Sequence, residues 1–207
     1  MSNLHSLLRD LQRRKARERR GLVVAEGRRL VAEALADVRL PDGPAVVLVL
    51  DAVQDPGNVG TMIRTAFALG ADLTVALDGS ADLRNAKTVR AAMGAVFRHP
   101  VAHAHAAECL DFLAARQVVL WAATMDGEPI GRRAAAPGSA PAGPDAPALG
   151  AIPSRLALAV GNEGAGLRAE LLAGAARRVA VPMRQSAESL NAAVAAGILL
   201  FQVLDVR

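Results

Sequence analysis

Five short segments of this chain, at 45–50, 73–77, 118–123, 156–160 and 179–183, are built almost wholly from apolar residues, chiefly Val, Leu and Ala. A strand with one wet face alternates apolar and polar residues. A strand covered on both faces need not, so runs of this kind read as strands buried on both sides. Between them lie segments of helical periodicity, at about 59–69, 82–92, 106–115, 166–174 and 189–204. Strand and helix in alternation predict an α/β fold, a parallel sheet flanked by helices. Upstream, residues 3–20 read as a charged helix with Leu4, Leu7, Leu8 and Leu11 at helical spacing, and 27–36 as a second short helix. Six of the 11 prolines fall in 127–153 among Ala, Gly and Ser, which predicts a surface loop there. The organisation expected is a basic helical arm over 1–44 followed by one main domain over 45–207.

Composition narrows the function. Hydrophobic residues are 52% of the chain, enough for a sizeable core, but aromatics are only 2%. A platform of several aromatic rings for stacking single-stranded bases is therefore not available. The single cysteine, Cys109, excludes an intramolecular disulfide and a Cys-rich zinc site. His103, His105, Glu108 and Cys109 are close in sequence, yet their spacing does not gather them on one helical face, so no metal is expected there. No apolar stretch at the N-terminus suits a signal peptide, and the uncharged run Ser189 to Leu204 is too short for a membrane span. A cytoplasmic protein is expected. The net charge of +4 is unevenly placed, with nine basic residues against three acidic between Arg9 and Arg29. Arg13, Arg14, Lys15, Arg17, Arg19 and Arg20 are candidate contacts to a polyanion, since arginine grips phosphate bidentately. A solvated helix face is the alternative reading of the same cluster.

Three segments carry polar residues where chemistry is possible. In Asp51 to Asp72, Pro56-Gly57 makes a turn and Asn58 suits a helix cap. Val59, Met62, Ile63, Ala66 and Phe67 form the core stripe of the helix that follows. Arg64 is the only charge between Pro56 and Ala71 and lies off that stripe. Taken alone it is either a functional arginine or an ordinary exposed one. The second segment, LALAVGNEGAGL from Leu156 to Leu167, is a strand, a glycine-rich turn and a helix start. Glycines let a ligand approach the backbone, but the G-x-x-G-x-G spacing is not the dinucleotide fingerprint, which disfavours a nicotinamide-dependent oxidoreductase. The third, Val179 to Val203, runs from a strand through a polar loop to a helix opened by Ser189, Leu190 and Asn191 and rich in small residues.

Together, N-x-G-x-x-x-R-x-A, then GNEGxGL, then VPM…ESLN-x-x-VAAGILL resemble the three motifs of the SpoU/TrmH RNA methyltransferases. The stretch Arg90 to Val101 resembles that family's segment between its first two motifs. The likeness covers about residues 46–207, and Gly21 to Leu35 resembles the start of the RNA-recognition domain of the rRNA-modifying members. The resemblance implies a sheet whose C-terminal part is tied in a trefoil knot, which general rules of chain topology would never suggest. It implies transfer of a methyl group from S-adenosyl-L-methionine to a ribose 2′-hydroxyl of RNA, with large-subunit rRNA favoured over tRNA, and a homodimer paired through the knot region and C-terminal helix.

By the same resemblance Arg64 is the central catalytic residue, with Asn58, Glu163, Ser189 and Asn191 as the other polar motif positions. Thr124, Gly161, Val181 and Leu190 map onto the family's backbone cradle for the methyl donor. A guanidinium stays protonated at ordinary pH, which favours oxyanion stabilisation over base catalysis for Arg64. One departure stands out. Only about 10 residues separate Leu35 from the strand at Ala45, where the rRNA enzymes carry a folded recognition unit. A tRNA methyltransferase and a knotted RNA-binding protein without turnover are the other readings left open.

Overall fold

The computed structural model describes residues 33–34, 38–130, 152–183 and 189–204. In chain order the elements are β1 (Glu33–Ala34), β2 (Ala45–Leu50), α1 (Pro56–Leu69), β3 (Leu73–Leu77), α2 (Ala86–Ala91), a 3₁₀ turn (Ala95–Phe97), β4 (Val101–Ala104), α3 (Ala106–Ala115), β5 (Val119–Pro129), β6 (Arg155–Val160), α4 (Ala169–Gly174), β7 (Arg177–Ala180) and α5 (Ala192–Leu204). The strands form one sheet in the order β1-β4-β3-β2-β6-β5-β7, and every pairing is parallel. Six strands make its body and the two-residue β1 extends one edge.

The apolar runs are explained by what covers them. In β2, Val46, Leu48 and Leu50 pack with α1 and α5 residues such as Met62, Ile63, Leu199 and Leu200. Val47 and Val49 point the other way, against Cys109, Phe112, Leu113 and Leu171 of α3 and α4. Both faces of β2 are fully buried, so alternation has no reason to appear. Truncating a side chain such as Leu48 to alanine costs about 2–5 kcal/mol, because a packed core relaxes only partly around the void.

Several expectations need correcting. Glu33–Ala34 is strand, paired with Ala102 and His103 of β4, where a helix over 27–36 was expected. The strand β4 itself, VAHA, escaped the pattern because it has four residues and its His103 faces outward. Asp55, not Asn58, caps α1: its side chain accepts from the Gly57 amide, and Pro56 occupies the first turn. Helix α5, expected to open at Ser189, starts at Ala192, with Asn191 as its cap accepting from the amides of Ala193 and Val194. Phe67, expected in the core, is 40% exposed. Helix α4 starts at Ala169, three residues later than expected. The helix over 3–20, with Arg13, Arg14, Lys15, Arg17, Arg19 and Arg20, and most of the loop over 127–153 lie outside the described residues.

His103 and His105 both turn to Asp78, and His105 also closes a capping box with Glu108 at the start of α3. Cys109 is buried in the core below, where burial pushes its thiol up to about 12.

Candidate active site

Open parallel sheets place their ligands beyond the carboxyl ends of the strands, where neighbouring connections diverge. In this sheet β2 is flanked by β3 on one side and β6 on the other, and the loops leaving β2 and β6 hold the motif residues.

The loop leaving β6 is a tight glycine turn. Asn162 and Gly166 form an antiparallel bridge, and the Asn162 side chain accepts from the amides of Gly164 and Ala165. Gly161 is obligatory here: a Cβ on it would lie 2.3 Å from the Gly166 carbonyl oxygen. Beside this turn lies a cavity of about 450 Å³, walled by the ends of β5, β6 and β7 and the entry to α5. Thr124, Gly161, Val181 and Leu190, the four positions expected to cradle a donor, all line it. Ser189 and Glu163 line it as well. Its apolar walls, Leu167, Met183 and Leu199 among them, were not anticipated. The Thr124 hydroxyl is buried and has no hydrogen-bond partner among the described residues.

At the edge of the cavity three motif residues are bonded together across long stretches of chain. Asn58 donates from Nδ2 to Glu163 Oε1, and Asn191 Nδ2 donates to Asn58 Oδ1 at 3.1 Å. Asn58 is free to do this because Asp55 has taken the cap. Lys87 bonds Asp55 at 2.6 Å, and together with the Gly57 amide it holds the Asp55 carboxyl below its usual range. Arg64 sits less than two turns further along α1, about 9 Å by helical rise. It is exposed, and its guanidinium has no partner among the described residues. Asn58, Glu163 and Asn191 are thus brought together, Ser189 joins them at the cavity, and Arg64 stands apart on the same helix.

Residues 45–201 match the SpoU rRNA methylase family. The chain belongs to that family. A Bacillus subtilis relative, the 23S rRNA (guanosine(2553)-2′-O)-methyltransferase RlmP, is 43% identical over 160 residues, 76% of this chain. A Streptomyces laurentii relative, a 23S rRNA (adenosine(1067)-2′-O)-methyltransferase, is 36% identical over 74% of it. The chain spans 57% and 52% of the lengths of these two relatives. Among solved structures, the SpoU methyltransferase AviRb of Streptomyces viridochromogenes in complex with AdoMet is 28% identical, with a TM-score of 0.67 over 82% of this chain and 62% of that one. An rRNA methyltransferase of Sinorhizobium meliloti shares the fold at a TM-score of 0.81, covering 99% of this chain and 95% of that one at 24% identity.

Two contacts of this SpoU site went unread in the sequence. Asp51, at the end of β2, and Arg168, after the glycine turn, form a largely buried ion pair at 2.6 Å. Asn162 Nδ2 also donates to the Ala52 carbonyl at 3.0 Å. A charge closing an otherwise apolar strand was the available signal for Asp51.

Proposed function

We propose that this protein methylates a ribose 2′-hydroxyl of large-subunit rRNA, using S-adenosyl-L-methionine bound in the cavity beside the glycine turn. The observation that carries this reading is the joining of that cavity to the Asn58–Glu163–Asn191 cluster, whose members come from three separate motifs. The cavity suits the donor. Gly161 opens the backbone, the walls are mainly apolar, and the Thr124 hydroxyl is a buried polar atom without a partner among the described residues. Thr124, Gly161, Val181 and Leu190 would hold the donor, which when bound supplies an activated methyl group.

The remaining work falls to the chain's own side chains. Arg64, exposed on α1, grips the phosphate next to the target ribose and stabilises the oxyanion that develops on its 2′-oxygen. Glu163, fixed by Asn58, and Asn191, fixed through the same amide, shape the wall that receives the ribose, and Ser189 completes it. Positioning of this kind is a large part of what such a displacement needs.

The rest of the assignment belongs to the same proposal. Residues 1–44 act as the RNA-binding arm through Arg13, Arg14, Lys15, Arg17, Arg19 and Arg20, and 45–207 form the catalytic domain with a C-terminal trefoil knot. A second copy of the chain covers α5, whose Val194, Ile198 and Phe201 are exposed beside a groove against Thr61, Thr65 and Leu69 of α1. Sedimentation showing a monomer at micromolar concentration would remove the dimer from this reading. The compartment proposed is the cytoplasm; among the described residues no helix is long and apolar enough to cross a membrane.

The deciding experiment supplies methyl-labelled S-adenosyl-L-methionine with purified rRNA and tRNA. Label at a 2′-oxygen of large-subunit rRNA is expected. Label in tRNA alone would overturn the target, and RNA binding without transfer would favour a non-catalytic protein.

A further inference from the structure

The glycine turn is tied at both ends to two consecutive residues on another strand's exit. Asp51, 1% exposed, accepts the Arg168 backbone N–H at 2.7 Å, its Nε at 2.7 Å and its Nη2 at 2.6 Å. The same Nη2 reaches the Asp78 carbonyl at 2.8 Å, so the exits of β2 and β3 meet on one guanidinium. At the other end of the turn, Asn162 donates to the carbonyl of Ala52. Ala52 holds φ at 52°, a left-handed conformation that an alanine keeps only where its surroundings impose it. Those surroundings are visible: Ser80 Oγ donates to the Leu50 carbonyl and accepts from the Val53 amide, bracing the turn on either side.

Three residues beyond Ala52 the chain reaches Asp55 and α1, and the third residue of α1, Asn58, bonds Glu163 back in the glycine turn. The connections close into a ring: β2 exit, α1, Asn58, Glu163, glycine turn, Arg168, Asp51. One segment of this ring lines the cavity, and another carries Arg64.

We infer that Asp51 and Arg168 are positioning residues that lock the donor-binding turn to the helix bearing Arg64, so that methyl donor and ribose are held in one fixed relation. This rests on the reading of the cavity as the donor site. Neither residue lines the cavity, although Leu167 and Leu172 on either side of Arg168 do, so both act through the turn. Hydrogen bonding to Asp51 also raises the proton affinity of Arg168, which keeps the tie charged. A misplacement of about 1 Å in such a site can cost a hundredfold in rate.

The test compares Arg168→Ala with wild type in three readouts: calorimetric binding of S-adenosyl-L-methionine, single-turnover methylation at saturating donor, and hydrogen exchange of the 164–167 amides. Expected are an affinity loss of about tenfold, a rate loss of about tenfold beyond it, and faster exchange confined to the turn. Arg168→Lys, which keeps the charge but not the fork, should recover part of each. Removing Arg168 alone strands a buried carboxylate. The paired variant Asp51→Asn/Arg168→Gln removes both charges and replaces Arg168→Ala should that protein not fold. As a control, Arg155→Ala removes an arginine tied at the opposite end of β6 and should leave all three readouts unchanged. Wild-type binding, rate and exchange in a folded Arg168 variant would overturn the inference. If wild type itself binds no donor, the reading of the cavity fails instead. Exchange at 164–167 then still decides whether the tie fixes the turn.

Discussion

Two arginines, one opening β6 and one beyond the glycine turn that follows it, are used differently. Arg155, at the amino end, spreads its guanidinium over the carbonyls of Arg116, Pro41 and Gly43, all neutral acceptors at turns. Arg168, beyond the carboxyl end, is held by a buried carboxylate and touches the exits of β2 and β3. The first arrangement staples loops. The second fixes direction as well as position, because Nε and Nη2 of the planar guanidinium both meet Asp51 Oδ1 while Oδ2 holds the Arg168 backbone amide. In the proposed mechanism the carboxyl end of the sheet places the reactive groups, while the amino end serves stability.

The largest effect that would break this division concerns Arg64, on the helix leaving the carboxyl end. Arg64→Ala should keep the fold, since the side chain is exposed and unpaired among the described residues. Single-turnover methylation should fall by about 10²-fold or more, the scale of losing one strong oxyanion donor, with donor affinity unchanged. Arg64→Lys should recover part of the rate. Wild-type turnover in Arg64→Ala would return the residue to the ordinary surface arginines.

Gly161→Ala comes next. Its Cβ would meet the Gly166 carbonyl at 2.3 Å, so the turn must shift and the cavity wall with it. Donor affinity should fall by about tenfold or more, measured by calorimetry, while thermal stability falls modestly. An alanine that binds donor normally would show that the backbone at this turn is not part of the cradle.

The amino end of the sheet should answer to pH through His99. His99 is 4% exposed and bonded to Thr74 Oγ1 at 2.8 Å, with the edge of Phe67 nearby. Burial lowers its pKa to about 4 against some opposition from Asp72. The unfolded chain therefore takes up this proton near pH 6.5 and the folded chain only near 4. The stabilisation is complete above pH 6.5 and is lost as pH falls toward 4, amounting to about 1 kcal/mol by pH 5.5. Denaturant titrations at pH 7 and 5.5 should show this loss in wild type and a smaller one in His99→Gln. Equal losses would place the acid sensitivity elsewhere.

The same division governs what could be read from sequence. Strands β2 and β3 were legible to the residue because burial on both faces leaves an uninterrupted apolar run. Helix α1 was legible as a helix, but its cap was misassigned to Asn58 although Pro56 already pointed to the residue before it. Short β4 and the two-residue β1 carry too few side chains to show a period. The polar motif residues were legible only through their likeness to a family. What joins them was not. Asp51 and Arg168 are 117 residues apart in sequence, and nothing local to either announces the other. A tie across that distance is a property of the strand order.

Arg155→Ala is the smallest perturbation and the sharpest check on the comparison. The substitution removes hydrogen bonds to three backbone carbonyls near the surface, where water can take over much of the bonding. A loss of about 1 kcal/mol is expected, read as a lower denaturant midpoint with an unchanged slope. The register of β6 against β2 extends over six residue pairs, from Ala45 with Arg155 to Leu50 with Val160. That ladder should hold the far end of the strand in place when its first residue is altered. Donor affinity and single-turnover rate should therefore match wild type under conditions where the protein stays folded. Should Arg155→Ala weaken donor binding as much as Arg168→Ala, the two ends of the strand would be mechanically continuous. The carboxyl-end tie would then lose its claim to a special role.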